Sequence, residues 1–161
     1  PGWLDAHIEV MNTYPDVGTI SGWPVRTQFR FHNRYTKEWA DRMNVLEYGR
    51  FISKQEDMDF CTSIDRDYAY QVEYTKNDID ARMYYRDVWA YATGHHCQWM
   101  GIAGVIAPLL RYSRHAMPNE RPFEDAIDKA ELLRLTTYKR TVRHIGNILD
   151  KDLEAEWQKI R

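Results

Sequence analysis

The sequence has very little cysteine, with Cys61 and Cys97 as its only two. Two cysteines do not make the disulfide framework of a small secreted domain. Their scarcity favours a reducing, intracellular compartment, and we expect the protein to be cytoplasmic. A zinc site built from these two residues with His95 and His96 is a weaker alternative, because the short Cys-x₂₋₄-Cys spacing of structural zinc sites is missing.

Long hydrophobic runs are also missing. The most apolar stretch, residues 100–110, has 11 residues, about half of the roughly 20 that a transmembrane helix needs. Residues 1–20 do not begin with the basic segment and apolar run of a secretory signal peptide. We therefore expect a soluble protein, with association at a membrane surface as an alternative.

The chain carries no large excess of charge of either sign. Its formal net charge is −2, which argues against the concentrated basic face that nucleic-acid binding requires. Hydrophobic residues make up 43% and charged residues 29% of the 161 positions, as in ordinary globular proteins. These values predict one compact folded unit with no nucleic-acid partner.

The N-terminal third alternates between helix and strand signals. Leu4, Ile8 and Met11 recur at helical spacing and predict an amphipathic helix over residues 3–13. Pro15 ends it, because the residue before a proline avoids helical geometry. Residues 17–23 are β-branched and predict a strand, and the alternation in residues 25–31 predicts a second strand. Residues 34–44 are helical or irregular.

The middle of the chain begins a helix with a recognisable cap. Ser53 followed three residues later by Glu56 forms a capping-box pattern, and the apolar positions that follow continue as helix. A short strand is predicted at residues 49–52, and the alternation in residues 68–74 predicts another. Residues 78–92 are predicted as helix, and residues 95–100 as a strand or a helix entry.

The C-terminal third is predicted to be helical. Pro122 suits the first turn of a helix, and helical spacing then recurs at Leu135, Tyr138, Val142, Ile145 and Leu149. The predicted fold class is α/β, with residues 1–115 as the main part and residues 116–161 as a helix-rich extension. The extension is basic; it is expected to pack on its own domain, with homo-oligomer contact or an anionic membrane as alternatives.

Four segments occur in an order that resembles a known family. They are PGWLDAHIEVMNTYPDVGTISGW at 1–23, GRFISKQEDMDFCTSI at 49–64, YAYQVEY at 68–74 and GHHCQW at 94–99. Together they resemble the C-terminal, acceptor-side half of GT-A-type glycosyltransferases, especially the family-2-like group. The resemblance covers residues 1–100 and implies a GT-A-like mixed sheet flanked by helices.

The chain departs from that family in one major way. The nucleotide-binding βαβ region and its Asp-x-Asp motif would precede Pro1. Three other Asp-x-Asp segments, at residues 57–59, 65–67 and 78–80, fall in or beside predicted helices and not at a strand end. We therefore expect the nucleotide-binding half to lie in a preceding segment or in another chain.

The resemblance also implies roles for particular residues. Asp57 matches the family's general base, which takes a proton from the acceptor hydroxyl, and Glu56 is a second candidate whose alternative role is the helix cap. His95 and His96 match the region where some members bind a divalent cation, Mn²⁺ or Mg²⁺. Adjacent residues of a strand point to opposite faces, so only one of the two would reach the site.

Two further residues are candidates for contact with the acceptor. Trp23 offers an aromatic face for a sugar ring, although aromatic residues more often fill cores. Arg26 suits a phosphate or an acidic acceptor, although a solvated edge strand is the simpler interpretation. The function implied is metal-assisted transfer of a sugar from a nucleotide-sugar to a hydroxyl acceptor. A non-catalytic binding or assembly subunit, and an unrelated metal protein or hydrolase, are the alternatives.

Overall fold

A computed structural model describes residues 2–30, 33–95, 99–113 and 121–142. The helices in these residues are α1 (Trp3–Thr13), α2 (Arg34–Arg42), α3 (Lys54–Ser63), α4 (Tyr68–Tyr74), α5 (Ala103–Ser113) and α6 (Arg121–Lys129), with a 3₁₀ helix at Arg26–Arg30. The strands are β1 (Val17–Ser21), β2 (Leu46–Gly49), β3 (Asp80–Tyr85), β4 (Val88–Tyr91) and β5 (Leu133–Thr137). Within this part of the chain, no helix combines the length and apolar character needed to cross a membrane.

The strands form one mixed, open sheet in the order β1-β5-β4-β3-β2. β2, β3, β4 and β5 pair antiparallel in succession, and β5 pairs with β1 in parallel. The predicted α/β class with a mixed sheet flanked by helices is therefore confirmed. The closer identification of this sheet as GT-A-like stays a prediction.

The main core lies between one face of the sheet and helices α1 and α2. Rings of Tyr14, Trp39 and Tyr85 meet there with centroid distances of 5.4–6.0 Å. The hydroxyl of Tyr14 donates to the carbonyl oxygens of Val88 at 2.8 Å and Met83 at 3.2 Å. These hydrogen bonds satisfy the Tyr14 hydroxyl, whose burial without a partner would be unfavourable. They also fix α1 against the β3–β4 hairpin.

Helix α1 has the predicted bounds but a different buried face. Leu4 and Ile8 are 43% and 42% exposed, whereas His7 and Val10 are buried. His7, Val10 and Tyr14 also recur at helical spacing, and they form the face that meets the sheet. The apolar face suggested by Leu4 and Ile8 is therefore not the buried one, and the buried face is the one that ends in Tyr14, whose hydroxyl is bonded to the β3–β4 hairpin.

Two segments predicted as strands are helical. Residues 26–30 form a 3₁₀ helix in which Arg26 is buried, so the expected strand over 25–31 is wrong. Residues 68–74 form α4, whose N-cap Asp67 accepts a hydrogen bond from the Tyr70 amide at 2.7 Å. Tyr70 and Tyr74 stack at i,i+4 with centroids 5.9 Å apart. The cap and this stacking stabilise helix despite the alternating pattern.

The predicted helix over residues 78–92 is instead the β3–β4 hairpin. Its two-residue turn is Arg86–Asp87, with φ values of 47° and 67°. Positive φ at both central residues matches the twist of the flanking strands, and it allows Tyr85 to pair with Val88. The turn contains no glycine or asparagine, so the usual hairpin signal is missing from the sequence.

The C-terminal region contributes a strand to the middle of the sheet. β5 lies between β1 and β4, so the helical extension predicted over 116–161 is wrong at residues 133–137. All five β5 residues are buried, and their β-branched threonines suit this position. The helix predicted from Pro122 is confirmed as α6, whereas Ile145 and Leu149 lie outside the described residues. β2, at Leu46–Gly49, precedes the strand expected at 49–52.

Candidate functional site

The candidate site lies at the N-terminus of α3. The Oγ atom of Ser53 accepts a hydrogen bond from the Glu56 amide at 3.2 Å, and the Glu56 carboxylate accepts one from the Ser53 amide at 2.9 Å. The predicted capping box is therefore confirmed. This bond occupies the Glu56 carboxylate, and we assign Glu56 to the helix cap rather than to proton transfer.

Asp57 follows the cap and has a partly accessible carboxylate. Its side chain is 13% exposed, and Oδ2 accepts a hydrogen bond from Nε of Arg26 at 3.1 Å. No group within the described part of the chain donates a hydrogen bond to its Oδ1 atom. Asp57, Phe60 and Cys61 lie on one face of α3, because they are separated by three and four residues.

Arg26 is buried and holds Asp57 in place. Nη1 donates to Asp80 at 2.6 Å and Nη2 donates to the Ile52 carbonyl oxygen at 2.8 Å. With Nε bonded to Asp57, each of the three guanidinium nitrogens has an acceptor. The side chain is only 3% exposed. This geometry makes Arg26 a positioning residue for Asp57, in place of the direct acceptor contact expected from the sequence.

Asp80 is the residue of this cluster that the sequence did not identify. Its side chain is completely buried at the start of β3, and Oδ2 accepts from the Phe51 amide at 2.7 Å and the Ile52 amide at 2.9 Å. These bonds fix the loop that leads into α3. In the sequence, Asp80 is recognisable only as the last position of an Asp-x-Asp segment. It lies far along the chain from Arg26, so no local pattern predicts that the two residues pair.

Burial changes the acid–base character of Asp57. The pKa of its carboxyl is raised above the ordinary aspartate value because burial disfavours the charged form, and the nearby Arg26 guanidinium opposes this only in part. The sequence suggested the reverse, since a helix N-terminus favours the carboxylate. A raised pKa makes the ionised carboxylate a stronger base than an exposed aspartate.

His95 lies against the same helix as Asp57. Its amide donates to Oγ of Ser21 at 2.7 Å, and this hydroxyl donates to the His95 carbonyl oxygen at 2.9 Å. The imidazole packs edge-to-face on Phe60 with centroids 5.8 Å apart. Farther along, Met100 pairs with Ile20 of β1. The fold therefore brings Asp57 and His95 to one side of α3, whereas His96 lies outside the described residues.

A metal site is not assembled by the described residues alone. No group of three or more His, Cys, Asp or Glu side chains comes together in residues 2–30, 33–95, 99–113 and 121–142. His95 as a ligand of Mn²⁺ or Mg²⁺ stays a prediction, and we derive no chemical step through a metal. Three other acids of the Asp-x-Asp segments are engaged elsewhere: Asp59 pairs with Arg140, Asp67 caps α4, and Asp78 pairs with Arg30.

Trp23 lies in a small core behind the site. It is 4% exposed and packs with Val25 and Phe60. The guanidinium of Arg140 lies 4.7 Å from the centre of its ring, a cation–π arrangement. We therefore interpret Trp23 as support for α3, the core role that the sequence analysis gave as its alternative.

Comparison with known proteins yields no relative: no protein-family model, curated protein or solved structure matches the chain. The functional assignment therefore depends on the residues and geometry given above. The mixed α/β sheet is the part of the GT-A expectation that the fold confirms. The site offers a carboxylate of raised pKa, held by a buried arginine, beside a buried histidine.

Proposed function

We propose that this chain is the acceptor-side part of a glycosyltransferase, in which Asp57 takes the proton from an acceptor hydroxyl. The observation that carries the proposal is the state of the Asp57 carboxylate. One oxygen is bonded to Arg26 at 3.1 Å, and the other accepts no hydrogen bond from the described residues. A base needs a fixed carboxylate with one oxygen available to its substrate.

The arrangement supports proton transfer in two ways. Arg26 restricts the rotation of the Asp57 side chain, and Asp80 holds Arg26 in turn at 2.6 Å. Burial raises the pKa of Asp57, so the carboxylate has a higher affinity for the proton it removes. Both effects act on the free oxygen of Asp57, where an acceptor hydroxyl would bind.

In the proposed step, an inverting transfer, every bond that forms is matched by one that breaks. The acceptor oxygen forms a bond to the anomeric carbon of the donor sugar, and the bond from that carbon to the nucleotide diphosphate breaks. The hydroxyl proton moves to Oδ1 of Asp57. The nucleotide-sugar would be bound by residues other than those described, in a further segment or in a partner chain.

A transfer assay tests this function. The chain, together with the segment or partner chain that binds the nucleotide-sugar, would be incubated with UDP-glucose, UDP-N-acetylglucosamine or GDP-mannose, with Mn²⁺ or Mg²⁺, and with neutral oligosaccharides as acceptors. Release of UDP or GDP that depends on the acceptor is the expected result. Asp57→Asn should abolish the release and keep the fold, because the amide oxygen can still accept from Arg26.

Asp59→Asn is the matched control, since Asp59 lies on the same helix and pairs with Arg140. It should retain the parental rate. Acceptor-dependent release that is undiminished in Asp57→Asn would remove Asp57 as the base. A protein that transfers sugar from none of these donors would count against the glycosyltransferase assignment itself.

A further inference from the structure

A cavity of about 560 Å³ lies between α1 and the β3–β4 hairpin. Within the described residues, β5 pairs with β4 only at Ala90 and Tyr91, which leaves the beginning of β4 without a strand neighbour from this part of the chain on that side. Its volume falls within the range of sites that bind small molecules. The described residues that line it include Asp5, Glu9, Asp87, Trp89, Tyr138 and Lys139.

Four aromatic rings extend from this cavity across one face of the sheet. Tyr84, Trp89, Tyr138 and Tyr91 follow one another with centroid distances of 4.8, 5.8 and 5.7 Å, and neighbouring planes differ by 29–35°. They share a face because Tyr84 is the cross-strand partner of Trp89 and Tyr138 contacts both β4 rings. We call these four residues the aromatic row.

Arg82 holds the aromatic row in a fixed arrangement. Its guanidinium carbon lies 4.3 Å from the ring centre of Trp89, and Nη1 donates to the hydroxyl of Tyr138 at 3.1 Å. The same side chain forms an ion pair with Glu47 at 2.8 Å. Rings held in this way lose little conformational freedom when they bind a ligand.

The charges around the cavity restrict what it can bind. Asp5, Glu9 and Asp87 supply three carboxylates, and Lys139 supplies one ammonium group. This balance disfavours an anionic ligand. Carboxylates accept hydrogen bonds from hydroxyl groups, and the parts of the Trp89 and Tyr138 rings that Arg82 does not cover offer flat apolar surfaces. A ligand with both apolar faces and many hydroxyls matches these groups.

We propose that the cavity and the aromatic row bind a neutral oligosaccharide. Sugar rings pack their apolar faces on Trp89 and Tyr138, and their hydroxyls donate to Asp5, Glu9 and Asp87. This sugar site is different from the one that the sequence suggested at Trp23. Trp89 and Tyr138 border a cavity, whereas Trp23 is buried in a core.

The far end of the row connects this site to Asp57. Tyr91 pairs across the hairpin with Arg82, and Asp80 lies two residues before Arg82 on the same face of β3. Because Asp80 is bonded to Arg26, which holds Asp57, the row leads from the cavity toward the proposed base. An oligosaccharide acceptor would bind its distal sugars in the cavity and present its end to Asp57, a role that rests on the proposed function.

Binding measurements by titration calorimetry test the site directly. The probes are cellotetraose, chitotetraose and mannotetraose, with tetragalacturonate as the anionic comparison. We expect saturable binding of a neutral tetrasaccharide and weaker or no binding of tetragalacturonate. Trp89→Leu should weaken binding about tenfold or more, as for a central aromatic anchor. Tyr70→Leu removes an exposed aromatic residue on α4 and should bind like the parent.

A second variant covers the case in which Trp89→Leu fails to fold. Glu9→Gln changes only a lining carboxylate on α1, and we expect weaker binding with a parental circular dichroism spectrum. The site is overturned if no neutral tetrasaccharide binds the parent, if Glu9→Gln and a folded Trp89→Leu both bind like the parent, or if tetragalacturonate binds more tightly.

One further variant distinguishes an error in the oligosaccharide site from an error in the assignment of Asp57 as the base. Asp57→Asn should bind the neutral tetrasaccharide as tightly as the parent, because Asp57 does not line the cavity. If Asp57→Asn binds the tetrasaccharide normally and also transfers sugar at the parental rate, the oligosaccharide site is supported and Asp57 is not the base. If transfer requires Asp57 but the parent binds no tetrasaccharide, the base stands and the site is overturned.

Discussion

Arg26 donates a hydrogen bond from Nε to Oδ2 of Asp57 at 3.1 Å, and this contact ties the segment after β1 to the first turn of α3. The same guanidinium is bonded to Asp80 on β3. Two carboxylates therefore share one buried cation, and three parts of the chain determine where Asp57 lies. The predictions that follow test this cluster and its surroundings.

Asp80 is the structural anchor of the cluster. Asp80→Ala should lower the free energy of unfolding by about 3–5 kcal/mol, because it leaves Nη1 of Arg26 and two loop amides without their acceptor in the interior. Urea unfolding measures the loss. Glu73→Ala, which breaks an exposed ion pair with Lys76, is the control and should stay within about 1 kcal/mol of the parent. If both substitutions lowered the free energy of unfolding equally, Asp80 would contribute no more to stability than an exposed ion pair.

The capping box gives Glu56 a structural role that Asp57 does not share. Glu56→Ala should lower the free energy of unfolding by about 0.5–2 kcal/mol, because it leaves the Ser53 amide without its acceptor. Glu56→Gln keeps an acceptor there and should be closer to the parent. Thermal unfolding and transfer activity would be measured together. A Glu56→Ala protein that is fully stable but inactive would reverse the assignment and give Glu56 the catalytic role.

The raised pKa of Asp57 predicts how its contribution to stability depends on pH. Because burial raises the folded-state value above 3.8, the protonated form is the one that folding favours. This contribution is complete below pH 3.8 and is lost as pH rises through the folded pKa. Asp57→Asn should therefore gain stability relative to the parent over that interval.

The measurement for this prediction is the melting temperature of both proteins from acidic to neutral pH. Asp59→Asn, whose carboxylate is paired with Arg140, serves as the comparison on the same helix. If Asp57→Asn instead loses stability relative to the parent as pH rises, the attraction of Arg26 outweighs the penalty of burial. The pKa of Asp57 would then be lowered on folding and not raised.

A second buried ion pair supports the segment that carries His95. Nη2 of Arg134 donates to Glu124 at 2.6 Å and to the Gly94 carbonyl oxygen at 2.7 Å. Arg134→Met should lower the free energy of unfolding by about 3–5 kcal/mol, because the buried Glu124 carboxylate would lose the charge of Arg134 beside it. Glu38→Gln, which weakens only the exposed pair with Arg34, should change it by about 1 kcal/mol or less. Chemical denaturation compares the two, and similar losses would contradict this account.

Local signals in the sequence predicted several elements correctly. The helix before Pro15, the β-branched strand after it and the cap formed by Ser53 and Glu56 each depend on residues within a few positions of one another. The rules that link such neighbours to geometry are physical and short-ranged. These elements place Asp57 at a helix N-terminus, which is the part of the candidate site that the sequence anticipated.

The remaining elements carry conflicting local signals or depend on contacts between distant residues. Alternation at residues 68–74 resembled a strand, but the Asp67 cap and the stacking of Tyr70 on Tyr74 favour a helix. The hairpin turn at Arg86–Asp87 lacks the glycine that usually reveals positive φ. No short-range pattern could reveal that Arg26 pairs with Asp80, because the two meet only when the sheet has formed.

The most direct test of the central claim is the transfer rate of Asp57→Asn at saturating donor and acceptor, compared with the parent. Loss of a general base should lower kcat by about 100-fold or more, with the affinity for the acceptor unchanged. That result would support Asp57 as the group that takes the acceptor proton. A kcat equal to that of the parent would contradict it, and the buried cluster of Arg26, Asp57 and Asp80 would then have a structural role only.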